Sequence, residues 1–88
     1  CHHELRHVFS AGHGEVDIIE FTIPSAWNDR LLSELIPDGC QPIALTRSGN
    51  AFLPSADSKL KQDDVLLISA NQSAIDTLRI RLDEKRIV

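Results

Sequence analysis

The chain has no apolar run near the eighteen or so residues needed to cross a bilayer, and nothing resembling a secretory signal. Any membrane contact is therefore expected to come through another segment or another subunit. Its two cysteines, Cys1 and Cys40, are too few for the disulfide framework of a small secreted domain, so a reducing cytoplasm fits best. Cys40 borders an apolar run and reads as a small buried hydrophobe. Basic residues are scarce and scattered: thirteen acidic against nine basic side chains give a formal charge of −4. A surface of that sign repels phosphate backbones, which argues against nucleic-acid binding. Low-complexity tracts and internal repeats are also missing. The chain starts at Cys1 without methionine and reads as part of a longer polypeptide.

Catalytic signatures are missing as well. Ser10, Ser25, Ser48, Ser55 and Ser58 lack a nucleophile-elbow pattern, and Cys40 has no activating base nearby in sequence. Gly12-His13-Gly14 leads into a strand pattern instead of opening a helix, so it is not a phosphate-binding loop. Asp57, Asp63 and Asp64 lack the alternating ligands and closing glutamate of a calcium loop, and read as solvated turn carboxylates. The chain is expected to be no enzyme and to carry no cofactor or resident metal. Four histidines, His2, His3, His7 and His13, fall within the first thirteen residues. On a helix, His3 and His7 would share a face and could bind zinc. A solvated linker is the preferred reading, and a metal-dependent enzyme fragment is the alternative from another class.

What is present fits one domain of 88 residues, large enough to hide only about 60–65% of its unfolded surface. Pairing with a copy is a natural way to bury more. Leu5, Val8 and Phe9, spaced i, i+3, i+4, predict the tail of a connecting helix, ended by the glycines at 12 and 14. Residues 1–15 are thus read as linker and residues 16–88 as the domain.

From Val16 to Ile23 the residues alternate as a strand, stopped by Pro24. Ser25 or Asn28 can cap a helix carrying Leu31, Leu32 and Leu35, with Trp27 folded over its start. After the Pro37-Asp38-Gly39 turn, residues 40–47 form a second strand, and Pro42 within it points to an edge or a bulge. Ser48-Gly49-Asn50 makes a tight hairpin into Ala51-Phe52-Leu53, which Pro54 halts. Leu60 is the apolar plug of the polar loop that follows. Val65-Leu66-Leu67-Ile68 is a continuous apolar run of the kind found in strands covered on both faces. Asn71-Gln72-Ser73 then caps a last helix with Ile75, Leu78 and Leu82 as its apolar stripe. The fold class is α+β: a small, mostly antiparallel sheet with two helices, in the order β-α-β-β-β-α behind the linker helix tail.

Several motifs in this order resemble the TrkA C-terminal, or RCK C-terminal, domain family. Leu32-Ser33-Glu34-Leu35 is similar to its helix end, and Ile43-Ala44-Leu45-Thr46-Arg47-Ser48-Gly49 to its strand and Arg-x-Gly hairpin. Phe52-Leu53-Pro54-Ser55 with Asp57 is similar to its next strand and proline stop. Leu60-Lys61-Gln62-Asp63-Asp64-Val65-Leu66 resembles its Leu-x-x-Gly-Asp-x-Leu entry to the final strand. Asp63 stands where the family usually has glycine, and Asp29 where a glycine often opens the first helix.

The resemblance implies a regulatory domain of potassium-uptake or channel-regulating proteins, working on the cytoplasmic side of the membrane. It implies a homodimer and a membrane channel or transporter subunit as partners. It also implies an upstream nucleotide-binding domain that would take NAD or ATP. In some relatives cyclic di-AMP lies between the two copies, and by position its contacts here are Ile43, Ala44, Arg47, Asn50 and Pro54. A purely structural dimerisation module of a transporter or antiporter, without a ligand, is the alternative within this class.

Overall fold

In a computed structural model, residues 5–84 are described. Five strands form one sheet: β1 (Arg6–Ala11), β2 (Val16–Thr22), β3 (Cys40–Arg47), β4 (Asn50–Phe52) and β5 (Val65–Ala70). Their order is β1-β2-β5-β3-β4, and every neighbouring pair is antiparallel. Two helices, α1 (Leu32–Leu35) and α2 (Gln72–Asp83), complete the expected α+β architecture.

The segment expected to be a helix tail is instead the outer strand β1, paired with β2 from Arg6↔Glu20 to Ala11↔Val16. The register slips between His7 and Phe9, so Val8 is an extra, bulged residue. The slip leaves Leu5 in the core and turns Phe9 to the other side of the sheet, so the apolar residues spaced i, i+3, i+4 do not form one face. Gly12 and Gly14, both at positive φ, build the turn that folds β1 back onto β2 instead of ending a helix.

Alternation along β2 and β5 separates the two sides of the sheet. Ile19, Phe21, Leu66, Ile68 and Ala70 are buried on one side, and Leu45 of β3 joins them. Leu32, Leu35, Ile75, Leu78 and Leu82 from the two helices close this side into a single core, plugged by Leu60 at 0% exposure. β5 departs from the expectation drawn from its apolar run. Leu66 and Ile68 are fully buried, whereas Val65 and Leu67, on the opposite side, remain half-buried.

The helices are held by specific polar contacts. Asn71 caps α2, its Oδ1 accepting from the Ala74 N–H at 2.8 Å. A β-carbon on Gly39, at φ 85°, would fall 2.5 Å from the Asn71 side-chain nitrogen, so only glycine fits the turn beside that cap. Ser25 and Asn28 do not cap the first helix. A 3₁₀ turn spans Ser25–Trp27, Asn28 Oδ1 accepts from the Gln62 N–H, and α1 starts after Leu31 without a side-chain cap. Trp27 is buried and donates from Nε1 to the Arg81 carbonyl at 3.2 Å, while Arg30 stacks 3.6 Å from its ring centre. Arg81 in turn donates to the Leu35 carbonyl at 3.1 Å, satisfying the end of α1.

Asp29 and Asp63, the two aspartates in positions where glycine is expected, have φ of 67° and 73°. The left-handed backbone is thus kept although the glycine is gone. Aspartate tolerates that region better than most residues, yet still at a cost. Asp29 also pairs with Lys61, which holds its carboxyl below the usual range.

Candidate functional site

The hairpin between β3 and β4 turns through Ser48 and Gly49, at φ 52° and 82°. Two successive positive values match the twist of a two-residue hairpin. Arg47 and Asn50 face each other across its base. Arg47 lies in the same alternation as buried Leu45, so its side chain turns toward the covered side of the sheet, where it meets Asp64.

That meeting is bidentate: Arg47 Nε donates to Asp64 Oδ1 at 2.9 Å and Nη2 to Oδ2 at 2.7 Å. Nη2 also reaches the Lys59 carbonyl at 3.0 Å, and the guanidinium lies 5.4 Å from the Phe52 ring centre. The Asp64 side chain is only 2% exposed, against 38% for Arg47. Burial pushes the Asp64 carboxyl up, but the Arg47 bonds and the Lys61 N–H, at 2.9 Å, outweigh it and leave the group below the usual carboxylate range. Asp64 raises the Arg47 pKa in return. Sequence reading singled out Arg47 but treated Asp64 only as a turn carboxylate. The signal lay in the motifs, since Arg-x-Gly and the Gly-Asp position each supply one partner.

The other candidate residues lie apart within the protomer. Ile43 is the extra residue of a bulge between Pro42↔Ile68 and Ala44↔Leu67 and is half-buried. This bulge is the consequence expected of Pro42, in the part of β3 that β4 does not pair with. Ala44 lies beside Leu67 on the side of the sheet away from the helices. Asn50 is exposed at the hairpin. Pro54 lines a cavity of about 520 Å³ together with Leu32, Ile36, Cys40, Pro42 and Ser55. Burial pushes the Cys40 thiol up to about 11, so it is no ready nucleophile. Arg47 borders a different hollow, of about 560 Å³, between the hairpin and residues 61–65. The structure therefore brings Arg47 and Asn50 together but not all five residues into one cavity of a single copy.

For metals, no group of three or more histidine, cysteine or acidic side chains is placed to hold an ion among the described residues. Cys1, His2, His3 and Glu4 lie outside those residues. His7 is on a strand, so the helical face proposed for it with His3 does not form there. Its Nδ1 lies 3.5 Å from the buried Asp17 carboxylate, which also accepts from Ser10. Asp57 is engaged by the Ser55 hydroxyl, which lowers its pKa.

The family model of the TrkA-C domain matches residues 18–82, from the second residue of β2 to the last turn of α2. The chain belongs to the TrkA-C domain family. The fold agrees: this TrkA-C domain superposes on the crystal structure of the GsuK RCK domain with a TM-score of 0.77 at 17% identity. That match covers 96% of this chain and 19% of the other, so the domain spans about a fifth of that chain's length. No curated protein matches this TrkA-C domain significantly.

Proposed function

We propose that this TrkA-C domain is a regulatory, non-catalytic module of a potassium-uptake or channel-gating system, pairing with a second copy and binding a small ligand between them. The observation that carries this reading is the family match over residues 18–82, which takes in both the Arg47 hairpin and the Asp64 turn. The module would work at the cytoplasmic face of the membrane through a channel or transporter subunit, with NAD or ATP bound only by a nucleotide-binding domain outside this chain. Among the described residues no helix is long and apolar enough to cross a membrane. A ligand that fits one arrangement of the pair better shifts the population toward it.

The proposed ligand is a cyclic dinucleotide such as cyclic di-AMP, held by Ile43, Ala44, Arg47, Asn50 and Pro54 of two copies. A two-fold ligand suits a two-fold site, because one patch used twice supplies both halves. Arg47 spends Nε and Nη2 on protein acceptors. Its Nη1 carries none of those bonds and is the edge that would meet a phosphate.

Isothermal titration of the chain with cyclic di-AMP tests the ligand, with saturable heat at one ligand per two chains expected. Asn50→Ala should weaken it without unfolding the protein. No heat at high micromolar concentration would remove the ligand and leave a purely structural pairing module. The engagement of Arg47 by Asp64 is the observation that favours this second reading.

A further inference from the structure

The side of the sheet away from the helices has a composition at odds with its exposure. Its strand residues, placed there by register and alternation, include Phe9 on β1, Val16 and Ile18 on β2, Val65 and Leu67 on β5, and Ala44 on β3. Phe9 is 64% exposed and Val16 39%, while Ile18, Val65, Leu67 and Ala44 are half-buried. An antiparallel sheet that meets water on one side normally alternates apolar-in with polar-out. Here Val65 and Leu67 of β5 are apolar on the open side too, among the polar Ser69, Thr22, Thr46 and Gln41, and only the other side is covered by the helices.

The geometry points to this open face as the seat of a second copy of the chain, which closes the two sheets into a sandwich. The inference rests on the pairing proposed above and specifies the surface that performs it. Three features favour a copy over another occupant. First, two identical sheets carry the same twist and so stack face to face with complementary shape. Second, the charged strand residues of the face are Arg6 and Glu20, paired at 2.7 Å, so the face is neutral and self-compatible under a two-fold axis. Third, five strands spaced about 4.8 Å apart and about 20 Å long give a face of roughly 500 Å². Two such faces bury on the order of 1,000 Å², the lower end for a specific interface, which calls for a concentration-dependent pair. Of the proposed ligand residues, Ala44 lies on this face while Arg47 and Asn50 lie on the covered side, so a ligand shared by the pair would have to reach around the β3 margin.

Charge reversal tests the placement. Arg6→Glu gives the face two negative charges, and Glu20→Arg gives it two positive ones. Sedimentation equilibrium of the wild-type chain should show a monomer–dimer equilibrium. Each variant alone should associate roughly tenfold more weakly, and an equimolar mixture should recover association to within about threefold of wild type. Both positions are solvent-accessible, and circular dichroism of each variant reports whether the fold is intact. If either variant unfolds, Phe9→Ser on the exposed edge strand takes its place and should weaken association in the same way. A wild-type chain that stays monomeric at several hundred micromolar overturns the pairing itself. A wild-type dimer indifferent to the reversals and to Phe9→Ser keeps the pairing and overturns this placement.

Discussion

The two sides of one sheet obey different rules. On the helix-covered side, Ile19, Leu45, Leu66 and Ile68 are at 0% exposure, and the polar groups that enter it are matched. Arg47, part-exposed, and the buried Asp64 close its margin as a fork, and among the described residues no buried side-chain polar atom lacks a partner. On the open side, Ile18, Val65 and Leu67 sit half-buried among the polar Thr22, Thr46 and Ser69 and around one surface ion pair. Apolar residues thus stand in unlike surroundings, because α1 and α2 supply only one cover. The covered side holds the protomer together, and the open side is the one proposed to associate.

The sharpest way to break this contrast is a pair of adjacent truncations on β5. Leu66→Ala should cost about 3 kcal/mol of folding stability, through lost transfer energy and the cavity left behind. Leu67→Ala, one residue along and on the other side, should cost below about 1 kcal/mol in dilute urea unfolding. Equal losses would erase the distinction between the sides.

Next in size is the fork at the covered margin. Arg47→Ala strands the Asp64 carboxylate in a site from which water is nearly excluded and should cost about 2 kcal/mol. The pH dependence follows from the lowered Asp64 pKa. A carboxyl whose pKa falls on folding adds stability above its unfolded value, about 3.9, and loses it as pH drops toward the folded value. Wild type should therefore lose stability below about pH 4 more steeply than Asp64→Asn, as read from urea midpoints at successive pH values.

A smaller effect is expected at the α2 cap. Asn71→Ala leaves the Ala74 N–H without its side-chain acceptor and should cost about 1 kcal/mol, with little change in association. The smallest should have the opposite sign. Asp63→Gly relieves a left-handed residue at φ 73° and should raise stability by up to about 1 kcal/mol. Asp29→Gly should give less, since it also releases Lys61. Thermal midpoints of the two variants check the order.

Much of the fold was legible because strands that bury one side alternate visibly. β2, the β3–β4 hairpin with its Gly49, and the capped α2 were read at close to their observed places. β1 was not, since Leu5, Val8 and Phe9 have helical spacing in sequence although the bulge at Val8 sends Leu5 and Phe9 to opposite sides of the sheet, and local periodicity cannot register a bulge. The first helix was overestimated for a related reason: Leu31, Leu32 and Leu35 have helical spacing, but only Leu32–Leu35 is helical, and Leu31 bridges to Lys59. The apolar run at 65–68 predicted cover on both sides, and it is the clearest sequence sign of the open face. The Arg47–Asp64 fork joins residues 17 apart across a hairpin and a loop, a distance over which spacing rules carry no information.

The most direct test follows methyl resonances of the wild-type chain as concentration is raised from low to several hundred micromolar, with a soluble paramagnetic agent reporting exposure. The account requires Ile18, Val65 and Leu67 to shift and become shielded together while Leu66 and Ile68 stay unchanged. Spectra that do not depend on concentration, or shifts confined to the hairpin around Ser48 and Asn50, would contradict it.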